Sequence, residues 1–268
     1  GAVSGPAPAA LGRELLDDPD ADPAQVGESL RHIVRANRWF GGWWAVRRGL
    51  GMVLGDGGSS DGAPGRPGGS PLPGWRTGAS TGLGVEPEPG RPGGSPQRIT
   101  MLDVGCGSGD LMARAVRWAA TRGIRLVPIG LERHRAAAKL AGSRGIATLL
   151  GCAGALPIRD HSVDLVIASQ LVHHFSAPAM IRFCQAADRL ARCGVIIADL
   201  RRSPVALAGF WVGSRLLRFD PATRQDGLTS VRRGYSDAEL AGLLASAGIR
   251  ARIERTPGFR LVATWRAR

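Results

Sequence analysis

From residue 98 onward, short apolar runs alternate with stretches whose apolar positions recur at helical spacing, the pattern of parallel βαβ units. Strands are expected near 99–104, 125–131, 146–150, 163–169, 194–200, 248–255 and 259–265. Helices are expected near 109–122, 133–143, 177–192 and 236–246, with a helical insertion between 203 and 219. Strands and helices interleaved in this way fit one doubly wound α/β sheet with helices on both faces. Ahead of it, Val26, Leu30, Ile33 and Val34 fall on one helix face, with Asp22 placed to cap the start and Pro23 at the first helical position, where its missing N–H costs nothing.

That helix runs into Arg38-Trp39-Phe40-Gly41-Gly42-Trp43-Trp44, where a glycine pair can break or hinge the chain. Tryptophans so close together have to bury against something. A helix packed on the main domain, a cap over a ligand pocket and an anchor at a membrane interface all satisfy that demand. Residues 54–97 are dominated by Gly, Pro, Ser and Asp and contain Pro-Gly-Arg-Pro-Gly-Gly-Ser-Pro twice, at 64–71 and 89–96. Such a composition buries too little apolar surface to offset its ordering entropy, so the segment is expected to be a disordered linker. The expected organisation is a helical cap over 1–53, the linker over 54–97 and one catalytic domain over 98–268.

Composition sharpens this picture. The formal charge of +13 raises nucleic acid or an anionic membrane as partners, but Lys139 is the single lysine among 35 basic residues, a skew that coding bias also produces. Residues 201–268 carry 13 arginines against five acids. Cys106, Cys152, Cys184 and Cys193 form no CxxC pair and lack zinc-finger spacing, which predicts reduced thiols in a cytoplasmic chain. Asp17, Asp18, Asp20 and Asp22 stand where a secretion signal needs an apolar run, so none is expected. The longest apolar stretch, Pro204 to Leu217, is short of a ~20-residue span and holds Arg215, so the chain is expected to be soluble or at most to lie on a membrane surface.

The chemistry concentrates at the end of the first strand, Leu102-Asp103-Val104-Gly105-Cys106-Gly107-Ser108-Gly109-Asp110, which passes directly into a helical pattern. Glycines there let the backbone turn sharply and let a ligand lie against it. A dinucleotide turn reads GxGxxG, whereas this one reads GxGxG behind an acid, and no GK[ST] follows to hold a triphosphate. An acid so placed repels a pyrophosphate and suits a cationic amino-acid end. The second strand ends in Glu132, 23 residues after Gly109, where a carboxylate can accept bonds from ribose hydroxyls.

On these residues the chain resembles the class I S-adenosylmethionine-dependent methyltransferases, and within them the small-molecule group of ubiquinone and menaquinone biosynthesis. The resemblance spans roughly 98–265. It implies a Rossmann-like, seven-stranded, mostly parallel sheet with the last strand antiparallel, and S-adenosylmethionine as cofactor. It also implies cofactor contacts at Asp103, Gly105, Cys106, Gly107 and Gly109, at Glu132 with Arg133, at Cys152 and Ala153, and at Ser169 and Gln170. The block Gly151-Cys152-Ala153-Gly154-Ala155-Leu156-Pro157 departs from the family pattern G-D-A-x-x-L-P, because Cys152 stands where an aspartate usually receives the adenine amino group. A thiol is a poor acceptor, and losing one such bond costs on the order of 1 kcal/mol.

Strand four leads into Leu171-Val172-His173-His174-Phe175 at the carboxyl edge of the sheet, where ligands bind in such folds. A phenol of pKa ~10 attacks a sulfonium methyl better with a base beside it, and histidine suits that work near neutral pH. His173 is the first candidate base and His174 the second; a purely structural pair, with catalysis by positioning alone, remains open. The interval after strand five, which builds the acceptor pocket in this family, supplies Arg201, Arg202, Trp211 and Tyr235 as candidate substrate contacts and suits an aromatic acceptor bearing an acid group. The expected reaction is O-methylation of a phenolic or polyketide-like small molecule. C-methylation of a quinone-type ring is the rival, nucleic-acid methylation and cofactor binding without turnover stand behind it, and the stretch Ser169-Gln170-Leu171-Val172 lacks the Asn/Asp-Pro-Pro-aromatic signature of base-amine methylation. No metal, no nucleic acid and no stable membrane insertion are expected, and a homodimer is left open.

Overall fold

A computed structural model describes residues 11–55 and 97–268; the expected linker falls almost wholly outside the described residues. Seven strands form one sheet: β1 (Gln97–Val104), β2 (Ile124–Glu132), β3 (Ala147–Leu150), β4 (Val163–Ser169), β5 (Ala191–Leu200), β6 (Arg252–Thr256) and β7 (Arg260–Arg266). Their order is β3-β2-β1-β4-β5-β7-β6, with β7 antiparallel to both neighbours and every other pairing parallel. The α/β, Rossmann-like sheet with an antiparallel last strand is therefore the one expected.

The helices are α1 (Pro23–Trp39), α2 (Gly42–Leu54), α3 (Asp110–Ala120), α4 (Arg135–Gly142), α5 (Ala177–Leu190), α6 (Pro204–Leu216), α7 (Pro221–Arg233) and α8 (Asp237–Ser246). The period-2 alternation of the strands sends side chains to two cores. Ile99, Met101, Leu165, Ile167 and Ile196 face α2 and α3, whereas Leu102, Val104, Val166, Ala168 and Ile197 face α5 and α8.

Two features go beyond what periodicity showed. Helix α2 lies on the sheet over β5 and β7, so Ala45, Val46, Leu50 and Val53 belong to the same core as β1. Gly49 makes that approach possible, because a Cβ there would stand 2.4 Å from Ile196 Cγ2. Helix α7 has a weak apolar pattern, and its start is marked instead by Asp220, whose carboxylate accepts from Thr223 N at 2.9 Å, followed by Pro221. The four cysteines are unpaired, and among the described residues no helix is long and apolar enough to cross a membrane.

Candidate active site

Strand β1 ends at the centre of the sheet beside the reversal in strand order, and the loop after it opens into a crevice. Gly105, Gly107 and Gly109 all hold positive φ (72°, 55° and 74°), a conformation that a Cβ would strain. The amides of Gly105 and Cys106 both donate to the Leu131 carbonyl, tying the loop to β2. The loop and the strand ends line a cavity of 440 Å³ to which Asp103, Glu132, Cys152, Ser169, Gln170 and His173 contribute. Gly105, Cys106, Gly107, Arg133, Ala153 and His174 line it too. Gly109 lies away from it: it starts α3, and a Cβ there would stand 2.3 Å from Ile146 Cδ1, so this glycine serves helix packing.

Asp103 is buried and its Oδ1 has no partner. Burial, reinforced by Asp110 and Glu132 nearby, pushes its carboxyl up to about 8. An orphaned carboxyl beside a bare glycine loop is a place for a cation, which fits the α-ammonium end of S-adenosylmethionine. Glu132 is engaged more fully than its sequence position suggested. It accepts from Gly107 N at 2.8 Å, Arg133 N at 2.8 Å and His134 N at 3.0 Å. A carboxylate offers about four lone-pair sites, so one remains for a ribose hydroxyl while the loop stays clasped. Cys152 is exposed at the cavity rim, where its sulfur accepts from Gly154 N at 3.5 Å.

A cationic ligand that favours ionised Asp103 releases its proton. Affinity for S-adenosylmethionine or its demethylated product is expected to rise by up to roughly tenfold per pH unit as pH climbs toward 8. The raised carboxyl also makes the free fold lose stability as pH rises from about 4 through 8, since the native chain holds a proton the unfolded chain has released. Calorimetric titration of Asp103→Asn checks the first expectation; an unaltered pH dependence of binding contradicts it.

The second strand-end constellation is formed by His173, in a short 3-10 turn after β4, and Asp199, near the end of β5. His173 Nδ1 lies 2.7 Å from Asp199 Oδ1, and its backbone N–H donates to Asp199 Oδ2 at 3.1 Å. Burial alone would raise Asp199, but His173 beside it and the amides bonded to it hold its carboxyl below the usual value. An ionised carboxylate only accepts, so Nδ1 carries a proton, and in the neutral ring Nε2 is the nitrogen with the lone pair. That Nε2 is buried without a partner and faces Glu14 Oε1 at 4.0 Å. Tyr235 donates its hydroxyl to the Val172 carbonyl at 2.6 Å, which braces the turn from behind; it lies away from either cavity and positions His173.

His174 belongs to a half-buried ionic cluster around the buried Arg233. Its Nδ1 lies 2.7 Å from Asp17 Oδ1, Arg233 Nη2 donates to Asp17 Oδ2 at 2.8 Å, and Arg233 Nη1 donates to Glu14 Oε1 at 3.1 Å. Glu14 is also the acceptor of the Ser230 hydroxyl at 2.7 Å. Burial raises Glu14 despite His174, Ser230 and Arg233, whereas Asp17 is held far below its ordinary value against its burial by hydrogen bonds from His174 and Arg233. Among the described residues, Glu14, His173 and His174 bring potential metal-ligating atoms within 4.8 Å of one another, but the Arg233 guanidinium already supplies positive charge to Glu14 there.

A second cavity, of 220 Å³, adjoins the first and shares Glu14, Leu16, Ile33, Gln170, Leu200 and Ser230 with it. Aromatic side chains from α1, α6 and the loops line it, among them Trp39, Phe40, Phe210, Phe219 and Phe259. Of the four residues expected to touch the acceptor, Arg201 is in this lining. Arg202 turns away to an ion pair with Glu239 at the start of α8, and Trp211 stands exposed under the Arg215 guanidinium, 3.7 Å from its ring centroid. The pattern of the sequence missed Arg260, at the first position of β7. It is buried in this cavity wall, donates from Nε to the Phe40 carbonyl at 2.9 Å and leaves Nη1 without a partner. Also missed were Glu14, Asp17 and Asn37, the last of which accepts from Gln170 and so joins α1 to the cavity edge.

The profile of a family described as a methyltransferase domain matches residues 102–198, the stretch from β1 to β5 that carries the glycine loop, Glu132, both histidines and, at its margin, the approach to Asp199. Several solved structures are similar at low identity. An S-adenosylmethionine-dependent methyltransferase from Aquifex aeolicus has a TM-score of 0.48 at 18% identity, covering 65% of this chain and 85% of its own. One from Methanosarcina mazei has a TM-score of 0.48 at 14% identity, with 63% and 92% covered. The magnesium protoporphyrin IX methyltransferase of Synechocystis PCC 6803, with bound SAH, has a TM-score of 0.44 at 15% identity, with 64% and 75% covered. No curated protein matches the chain.

Proposed function

We propose, from the premise that residues 102–198 belong to the methyltransferase-domain family, that this chain transfers the methyl group of S-adenosylmethionine to a hydroxyl oxygen of a small phenolic or polyketide-like acceptor. The observation that carries the reading is the buried Asp199–His173 pair, whose free Nε2 faces Glu14 where the two cavities meet. The larger cavity suits the cofactor: Asp103 meets its cationic end, Glu132 a ribose hydroxyl, and the loop at 105–107 leaves the backbone bare. The smaller, aromatic-lined cavity suits a planar acceptor, and Arg260 offers a donor to an acidic or carbonyl oxygen on it.

When bound, the cofactor supplies a methyl carbon already activated by its sulfonium, so the chain's own task is alignment and removal of one proton. His173 Nε2 would receive the acceptor's hydroxyl proton as that oxygen takes the methyl group the bound cofactor would supply. Asp199 keeps the imidazole in the right tautomer and steadies the imidazolium that results. Tyr235 and Val172 hold the turn at the height of the cavity junction.

The test is a screen of phenols, with and without a ring carboxylate, against methyl-labelled cofactor in the presence of EDTA. Transfer to oxygen that survives the chelator is expected. Cofactor uptake with no transfer to any phenol would withdraw the acceptor class, label on ring carbon would move the chain to the C-methylating reading, and loss of transfer in EDTA with the fold intact would assign the Glu14–His173–His174 group to a metal.

A further inference from the structure

Helix α6 carries apolar side chains on its outward face as well as on the one that packs Leu207 and Phe210 inward. A globular helix buries its apolar stripe, yet α6 buries Ala206 and Ser214 and exposes Val205, Val212 and Leu216, with Leu216 at 78% exposure. These three follow one face of the helix at intervals of seven and four residues, with Trp211 exposed alongside. The end of α1 continues the patch. Phe40 packs on Phe210 of α6 at 5.2 Å between ring centroids, and its neighbour Trp39 stands 64% exposed at the rim of the smaller cavity. Contiguous apolar surface of this kind marks an interaction site.

Within its two segments the charge is of one sign. No acid occurs in 29–54 or in 201–219, while Arg35, Arg38, Arg215 and Arg218 are exposed in those segments. Arg215 lies over the Trp211 ring at 3.7 Å and Arg38 over the Trp39 ring at 5.9 Å, so cations and indoles share one level of the surface. Tryptophans at the headgroup level, a short helix with aliphatic side chains outward and arginines beside them make up an in-plane membrane contact, and 13 residues are too few to span.

We propose that the face formed by α6 and the end of α1 docks on an anionic lipid surface, with Val205, Val212, Leu216 and Trp39 entering the headgroup boundary and the four arginines meeting lipid phosphates. Because Trp39 and Gly209 rim the smaller cavity, docking turns its mouth toward the bilayer. On the reading of that cavity as the acceptor pocket, the acceptor is then an amphiphile drawn from the membrane; the docking itself does not depend on that reading.

The full chain is tested by co-sedimentation with vesicles of phosphatidylcholine alone and of equimolar phosphatidylcholine and phosphatidylglycerol. Binding is expected to the mixed vesicles, at least about tenfold tighter than to the neutral ones and weakened by salt. Val212→Asp with Leu216→Asp, and separately Arg215→Glu with Arg218→Glu, each lower that binding about tenfold or more while the thermal transition stays in place. Equal binding to both vesicle types, no binding by the unmodified chain, or full binding by either folded double variant overturns the proposal. A dimer in light scattering that the aspartate variant splits, without vesicle binding, assigns the face to a second copy instead. None of these measurements needs methyl transfer, so they stand apart from the test of the reaction.

Discussion

Replacing His173 by alanine lowers methyl transfer by about 10²- to 10⁴-fold, the span a positioned base contributes, while affinity for the demethylated cofactor stays near that of the unmodified chain. The reason is geometric. Asp199, which is fully enclosed, holds the His173 ring at Nδ1 through Oδ1 and its backbone N–H through Oδ2, which leaves Nε2 turned toward Glu14. Added imidazole restores part of the rate to His173→Ala if the ring acts as a base, whereas a ring that only braces the turn is not replaced by a soluble one. Asp199→Asn gives a comparable loss of turnover, since an amide at that position no longer fixes the tautomer. Activity close to the original in His173→Ala reduces the residue to scaffold and leaves alignment as the sole source of catalysis.

The second large effect is on stability. Arg233, from the last turn of α7, is almost wholly enclosed and joins Glu14 and Asp17 of the N-terminal segment to His174. Arg233→Met leaves two acids in a poorly hydrated site without their cation, a change that costs about 3–5 kcal/mol. For a chain of this size that is a fall of roughly 10 °C in Tm by calorimetry. Adding Glu14→Gln to Arg233→Met recovers part of the loss, because one of the abandoned carboxylates is then neutral; strict additivity of the two changes contradicts the coupling. The part of this stability carried by Asp17, whose carboxyl is held low, is present above its ordinary value near 3.8 and disappears as pH falls through the lower folded value.

The sheet was legible in the sequence because a strand or a helix is a local pattern, and a short apolar run such as 165–168, flanked by helical stretches, reads as a strand buried on both faces. The glycine loop was legible for the same reason: a strand, a tight turn and a helix follow one another within a dozen or so residues. Helix α7 was not, since Asp220 and Pro221 mark its start but its polar body shows no stripe. Gly109 matched the motif and yet faces Ile146, because a spacing specifies backbone conformation and does not say which neighbour fills the space beside it. Arg202 and Trp211 stand in a segment expected to build the acceptor side, but one found Glu239 and the other found solvent.

By itself the amino-acid sequence determined the α/β class, the strand-to-helix glycine loop, the acids Asp103 and Glu132 at strand ends and the histidine pair. Each is set by the residues next to it in the chain, through steric limits on the backbone and the period of apolar side chains. Only the tertiary structure decided that Asp199 is the partner of His173, that Glu14 and Asp17 come from the N-terminal segment to meet Arg233, that Arg260 enters the wall of the smaller cavity, and that α6 leaves Val205, Val212 and Leu216 facing outward. Those contacts join positions far apart along the chain, and which of many arginines or acids meet is fixed by how the helices settle on the sheet, a property no local pattern contains.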